Sequence, residues 1–336
     1  GIKEEEKYSK EWFSKYLKYL NTVNEKNSNS ENKTLRFKEI INTGKPKFYK
    51  FSACNSIVPD NIDESRNVSL KLYYGKNVKT FTINSISQKN QVVLIQLEEN
   101  LAVEIFDNFF MAEINYQPTI DLLHRLENAF IKLDTWDKIS VAFPSIHYIY
   151  GPPGTGKTTT LKNTINDLYS KNTDIKILVL APTNKACDVL AEKLYENEFT
   201  EFIRLSSPTS EILPDDFYKN SLNIQDLESK NVLISTIHRH SYFKVSTDHS
   251  EFYLYNFDRW DYVIVDEASM INLPYIVFSA MITKQSNSNS KIIIAGDPKQ
   301  IPPVPELSDN EREEIEIETE NIYSMLGLNS FDEEIQ

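Results

Sequence analysis

The sequence predicts an α/β fold: a parallel sheet with helices on both faces, preceded by a small β-barrel and helical supports. Three observations carry that expectation. Five short runs, Ile146–Tyr150, Ile177–Ala181, Val232–Ser235, Tyr262–Val265 and Ile292–Ala295, are nearly continuous in apolar or β-branched residues, as strands covered on both faces are. Each ends in small, polar or charged residues, and ligands of open α/β sheets bind beyond the carboxyl ends of their strands. Upstream, short β-rich segments alternate with turn signals, which suggests a small barrel or sandwich.

In chain order, residues 3–23 set Tyr8, Trp12, Phe13, Tyr16, Leu17, Tyr19 and Leu20 among lysines and glutamates at helical spacing. The polar stretch from Asn21 to Lys33 reads as a linker. Leu35–Ile41, Phe48–Ala53, Val68–Leu72, Lys79–Ile86 and Gln91–Leu97 are the five expected barrel strands, separated by turns such as Asn42-Thr-Gly-Lys-Pro46 and Gly75-Lys-Asn77. Phe48, Tyr49, Tyr73 and Tyr74 can stack on bases, but as individual side chains they are better read as core. Thr119–Leu133 follows as a connecting helix with Pro118 at its first turn. The expected divisions are 1–34 (helix and linker), 35–115 (barrel), 116–145 (connecting helix), 146–305 (sheet domain) and 306–336 (acidic tail).

The formal net charge of −13 is unevenly placed. Residues 1–117 carry 17 basic and 15 acidic side chains, 118–305 carry 18 and 23, and 306–336 carry one and 11. The acidic tail therefore accounts for most of the imbalance, and charge neither makes nor breaks a case for a nucleic-acid partner. Two cysteines, Cys54 and Cys187, are too few for a disulfide framework. A charged N-terminus and the lack of a long apolar run argue against a secretory leader or a membrane span. A cytoplasmic setting without a membrane partner is the expectation.

Between the first two of the five apolar runs lies Gly151-Pro-Pro-Gly-Thr-Gly-Lys-Thr-Thr-Thr160, which satisfies G-x-x-x-x-G-K-[ST]. Gly151, Pro153, Gly154, Thr155, Gly156 and Thr159 belong to a backbone curl whose N–H groups meet phosphates at a helix N-terminus. Lys157 adds a point charge for the β/γ-phosphates, and the Thr158 hydroxyl is a ligand for Mg²⁺. Asp266, ending the fourth run, is a second candidate for Mg²⁺, and the adjacent Glu267 is the candidate to take a proton from attacking water. Gly296-Asp-Pro-Lys-Gln-Ile-Pro-Pro303 ends the fifth run, where Gln300 offers an amide that donates and accepts. His238 and His240 lack the further ligands a metal site needs.

These stretches resemble superfamily 1 helicases, in the branch containing the nonsense-mediated-decay helicase. The phosphate loop alone is shared with hexameric AAA-type ATPases. Asp266-Glu-Ala-Ser269 looks like motif II, Gly296–Pro303 like motif III, Ala181-Pro-Thr-Asn-Lys-Ala186 like motif Ia, and Ser235-Thr236 like motif Ic. The resemblance implies a P-loop, RecA-like domain that uses ATP and Mg²⁺ to translocate 5′→3′ on single-stranded DNA or RNA. It implies Gln300 as γ-phosphate sensor, with Pro182, Thr183, Asn184, Ser235 and Thr236 touching the strand's backbone. Helix capping is the competing role of Thr183 or Asn184. Gln117 is the upstream candidate for reading adenine, although it precedes Gly151 by an unusual 34 residues. Asn321–Leu328 resembles the run leading out of the first RecA-like domain. A second RecA-like domain is the partner expected from elsewhere, and the chain is expected to be a monomer. The competing function is a nucleotide-gated scaffold whose ATP state controls a protein partner. A small-molecule kinase leaves Gly296–Pro303 without a role.

Overall fold

The structure, a computed structural model, describes residues 7–27, 32–59, 61–118, 122–151, 156–299 and 321–327. Helix α1, Lys10–Asn27, begins later than the aromatic periodicity suggests. Trp12, Phe13, Tyr16 and Leu17 are buried and share a core with Leu126, Phe130, Leu133 and Trp136.

Strands β1 (Lys33–Asn42), β2 (Phe48–Cys54), β3 (Arg66–Tyr74), β4 (Asn77–Lys89), β5 (Val92–Leu97) and β6 (Phe109–Gln117) form a closed antiparallel barrel, in the order β1-β2-β5-β4-β3-β6. The five expected strands are present. The sixth is an addition, reached through the short helix α2 (Val103–Asn108). It pairs with both β1 and β3, so it removes two open edges at once. Its Ala112, Ile114 and Tyr116 face inward and alternate with Glu113, Asn115 and Gln117. Phe48 and Tyr49 are core residues, whereas Tyr73 and Tyr74 are half-buried.

Helices α3 (Leu122–Phe130) and α4 (Ile139–Ala142) lead to β7 (Ile146–Tyr150). There follow α5 (Lys157–Lys171), β8 (Ile177–Ala181), α6 (Asn184–Glu196), β9 (Phe202–Leu205), β10 (Tyr218–Lys219), β11 (Leu222–Asn223), α7 (Ile224–Ser229), β12 (Val232–Thr236) and α8 (Ile237–His240). Strands β13 (Lys244–Ser246), β14 (Glu251–Tyr253) and β15 (Tyr262–Val265), helix α9 (Leu273–Ser286), strand β16 (Lys291–Gly296) and helix α10 (Ile322–Met325) complete the described chain. Seven parallel strands form one sheet in the order β10-β9-β12-β8-β15-β16-β7, and β11, β13 and β14 form a small sheet of their own.

The five expected strands are neighbours in the large sheet, with β9 and β10 added beyond β12. One expectation fails in detail: β7 is an edge strand, and His147, Tyr148 and Tyr150 are exposed rather than covered on both faces. Alternate side chains of the inner strands enter different cores. Leu178, Leu180, Val263, Val265, Ile292 and Ile294 join the layer containing α9. Ile177, Val179, Ile264, Ile293 and Ala295 meet Leu161, Ile165, Leu190 and Leu194 from α5 and α6. Helix α9 is apolar nearly all round because it is buried among its neighbours. No helix among the described residues is long and apolar enough to cross a membrane.

Candidate active site

Gly151 leaves β7 and donates its N–H to the Gly296 carbonyl at 3.3 Å, joining two strand exits. A Cβ on Gly151 would lie 2.8 Å from Lys157 Cβ, so the loop can double back here only without a side chain. Gly156 holds φ of +81° as the N-cap of α5, a left-handed geometry that suits glycine. Lys157, Thr158 and Thr159 then form the first turn of α5. Thr158 is half-buried, and Thr159 Oγ1 accepts a hydrogen bond from Lys193 Nζ at 3.0 Å. Pro153, Gly154, Thr155 and Gln300 lie outside the described residues.

Lys157 Nζ stands 3.1 Å from Asp266 Oδ1 and 3.8 Å from Glu267 Oε1. Two side chains from α5 and the end of β15, more than a hundred residues apart, therefore share one small volume. Asp266 is buried and Glu267 is 40% exposed. A buried carboxylate must be compensated. Asp266 Oδ1 is met by the ammonium of Lys157 and by the Glu267 backbone N–H at 2.7 Å. The Asp266 N–H in turn donates to the Leu180 carbonyl at 2.8 Å, which fixes the strand exit. Glu267 adopts φ of +50°, an unusual value for a residue with a side chain. The turn carries the chain into the 3₁₀ segment Ala268–Met270 immediately after the two acids.

Tyr323 escaped the sequence reading. Its buried hydroxyl has no hydrogen-bond partner among the described residues, and a Cβ on Gly296 would lie 2.8 Å from it. Burial raises the phenol well above its ordinary pKa, with Tyr148, Asp266 and Asp297 adding in the same direction. Helix α10, which carries Tyr323, is held by a reciprocal cap between Asn321 and Ser324. That Asn-x-x-Ser spacing was the available sequence signal.

A cavity of about 520 Å³ opens beside the acids, between the sheet's exits and the barrel. Pro182, Thr183, Asn184, Thr236 and Glu267 line it, with Asp63 and Glu64 from the barrel side. Thr183 Oγ1 accepts from the Ala186 N–H at 3.2 Å and so caps α6. Asn184 is buried and accepts from Arg204 Nη2 at 2.6 Å. Ser235 is wholly buried and donates to the Thr236 carbonyl at 3.0 Å, whereas the buried Thr236 Oγ1 has no partner. Four of the five strand-contact candidates thus line one cavity, and Ser235 lies behind it.

Barrel and sheet are joined by a cluster that sequence reasoning missed. Arg239 is gripped by Asp63 at 3.0 Å and Glu64 at 3.1 Å, while Tyr242 donates to Glu64 at 2.5 Å. Burial raises the Asp63 carboxyl above its ordinary pKa against the opposing pull of Arg239.

Gln117 ends β6, and its side chain accepts from Asn67 Nδ2 at 2.7 Å within the barrel. No described contact joins it to Gly151 or Lys157. His238 packs edge-on against Tyr275, and His240 pairs with Ser279 at 2.8 Å. No cluster of metal-ligating side chains occurs among the described residues.

The AAA domain profile matches residues 139–306, half of the chain. The chain is 31% identical over 188 residues to the RecBCD enzyme subunit RecD of Buchnera aphidicola, covering 53% of this chain and 27% of that protein. It is 31% identical over 162 residues to the DNA replication ATP-dependent helicase/nuclease dna2 of Schizosaccharomyces pombe, covering 47% and 11%. To the human RNA helicase Mov10l1 it is 26% identical over 170 residues, covering 48% and 13%. The chain therefore spans well under a third of the length of these relatives. By the matched domain and the motifs it contains, the chain belongs to the AAA domain family and, within it, to the superfamily 1 helicases.

Proposed function

We propose that this chain is the ATP-binding part of a nucleic-acid-dependent ATPase of the helicase type, which moves along single-stranded DNA or RNA. The observation that carries the reading is the convergence of Lys157, Asp266 and Glu267 beside Gly151. The residues present fit a magnesium nucleotide. Gly151 leaves room where a side chain would collide, α5 offers its N-terminus, and Thr158 and Asp266 supply the hard oxygen donors that Mg²⁺ prefers. When bound, Mg²⁺ neutralises phosphate charge.

The chain's own groups divide the remaining work. Lys157 leaves Asp266 to hold the β/γ-phosphates, and Glu267 accepts the proton of the attacking water. Gln300 orients that water or senses the γ-phosphate. Tyr323 is placed to relay the state of the Gly296 exit to α10. Pro182, Thr183, Asn184, Ser235 and Thr236 form the face toward the strand's backbone, with Thr183 serving both as cap and as contact. Because Glu267 touches both the Lys157 side and the cavity, it is the short route between nucleotide and strand.

The division into barrel, connecting helices, sheet domain and acidic tail belongs to the same proposal, as do a second RecA-like domain completing the ATP site and a reducing, cytoplasmic setting for the free thiols of Cys54 and Cys187. The test is Mg·ATP binding together with strand binding. Saturable nucleotide binding and salt-sensitive affinity for oligonucleotides are expected. Nucleotide binding with no strand affinity at low salt would favour the scaffold function instead.

A further inference from the structure

Helix α6 brings a second lysine to the start of α5. Leu190, Ala191 and Leu194 of α6 share one buried layer with Leu161 and Ile165 of α5, which sets the two helices side by side. Lys193 follows Leu190 by three residues, so it leaves α6 beside that apolar stripe. Its Nζ donates to Thr159 Oγ1 at 3.0 Å. Thr159 follows directly on the last residue of the phosphate-loop pattern.

No carboxylate pairs with Lys193 among the described residues. The adjacent Glu192 is engaged elsewhere, by Lys89 at 3.3 Å and by Ser210. An ammonium bonded to one neutral hydroxyl keeps its whole charge and has further N–H groups to give. Lys162, three residues after Thr159 on α5, is likewise held by a neutral group, Asn197 Oδ1 at 3.2 Å. Two ammonium groups without acids thus stand by the first turns of α5, where the helix already favours an anion.

The helix also decides which part of a nucleotide Lys193 would meet. Thr159 follows Lys157 by two residues, about 200° around the helix axis. Lys157 reaches Asp266 and Glu267 on one side of α5, while Thr159 faces Lys193 on the other. Hydrolysis at Glu267 sets the γ-phosphate on the Lys157 side. The Lys193 side is then left for the other end of the phosphate chain.

We propose that Lys193 is a further nucleotide-binding residue, whose ammonium meets the α-phosphate of the bound nucleotide. The inference rests on the nucleotide-binding function proposed above and adds a second cation to it. ATP and ADP share the α-phosphate, so Lys193 serves both alike and takes no part in hydrolysis.

The experiment titrates ADP and a slowly hydrolysed ATP analogue, each with Mg²⁺, into the wild type, Lys193→Gln and Lys193→Arg, followed by calorimetry. Glutamine keeps a donor for Thr159 and loses the charge, whereas arginine keeps the charge. Lys193→Gln is expected to weaken both nucleotides by the same factor, about tenfold, the effect of one lost charge-assisted hydrogen bond at a half-exposed site. Lys193→Arg should recover most of that loss. Wild-type affinity of Lys193→Gln for both nucleotides would overturn the inference and leave nucleotide binding intact. A loss confined to the ATP analogue, or an equal loss in Lys193→Arg, would also overturn it, by placing the cation at the γ end or reducing its role to packing. No binding by the wild type would overturn nucleotide binding and this inference with it. If the variants do not fold, acylation of the wild type by an acetylating reagent decides, read by peptide mass spectrometry. Magnesium ADP should protect Lys193 and leave Lys171, at the far end of α5, as reactive as before. Unchanged reactivity of Lys193 with ADP saturating would overturn the inference.

Discussion

Lys157 Nζ lies 3.1 Å from Asp266 Oδ1, so the lysine that begins α5 is paired with the buried acid at the end of β15. The pair compensates a buried carboxylate that also accepts from the Glu267 backbone N–H. Lys157→Ala should therefore destabilise the nucleotide-free chain by about 1–3 kcal/mol, the cost of leaving a hydrogen-bonded buried charge unpaired. Urea unfolding without nucleotide checks this. A Lys157→Ala midpoint equal to that of the wild type would show that Asp266 does not depend on the lysine.

Glu267 is expected to matter for hydrolysis and little for binding. Glu267→Gln keeps the size and hydrogen-bonding reach of the side chain but cannot accept the proton. Turnover in the presence of a strand, with the second domain supplied, should fall by about 10²–10⁴-fold while Mg·ATP affinity changes little. Quenched-flow hydrolysis paired with nucleotide titration separates the two. Equal turnover would remove Glu267 from the role.

The barrel is latched to the sheet by Arg239, between Asp63 and Glu64. All three side chains are nearly buried, so removing the arginine takes the shared cation from two acids and leaves Glu64 only neutral donors such as Tyr242. Arg239→Ala should cost about 3–5 kcal/mol. Unfolding should then lose its single transition, because the barrel has its own closed core and can persist after undocking. Denaturant curves followed separately by tryptophan fluorescence and by far-UV circular dichroism test this. The three tryptophans, Trp12, Trp136 and Trp260, all lie in the core outside the barrel. Coincident, unshifted curves would show that the latch carries no weight.

Acid should weaken the fold through the buried His240 and the half-buried His238. Burial alone lowers the His240 pKa to about 3, and burial is the largest cause lowering that of His238. A histidine whose pKa is depressed on folding binds more protons when unfolded. Its contribution is complete above the unfolded value near 6.5 and is lost as pH falls toward the folded one. Each fully buried histidine steepens the decline by up to about 1.4 kcal/mol per pH unit. Replacing both members of the His240–Ser279 pair, as His240→Phe with Ser279→Ala, should flatten part of the fall between pH 6.5 and 4. Equilibrium unfolding across that range provides the slope, and an unchanged slope would mean that His240 stays neutral for another reason.

How far the fold was legible follows from what each residue type signals. Four of the five apolar runs became inner strands because a strand covered on two faces leaves a continuous hydrophobic trace, and the fifth, β7, joined them at the sheet's edge. Strand β9 left no such trace because Arg204 sits in the middle of Phe202–Leu205. That arginine is wholly buried, with Asp188 at 2.9 Å and Asn184 at 2.6 Å as partners drawn from α6. Only tertiary structure supplies such compensation. Strand β6 was legible in principle from Ala112, Ile114 and Tyr116 at every second position, but its opening run Phe109-Phe110-Met111 masks the alternation.

The site divided in the same way. Gly151, Lys157, Asp266 and Glu267 lie in short motifs whose spacing reports their chemistry, and the fold brings Lys157 to both acids. Asp63 and Glu64 carry no local signal, and the cap around Tyr323 marks only a helix start, since the place of all three depends on how the barrel and α10 dock against the sheet. Asn184 shows how a polar residue can be overdetermined. It sits at the start of α6, lines the cavity and serves the buried Arg204.

The most direct test of the account is calorimetric titration of a slowly hydrolysed ATP analogue with Mg²⁺ into the wild type and into Lys157→Ala, each first shown to be folded. The central claim predicts one binding site per chain in the wild type, weakened by at least about 100-fold when the ammonium that meets the phosphates is removed. A folded Lys157→Ala variant that binds the magnesium nucleotide as tightly as the wild type would contradict it.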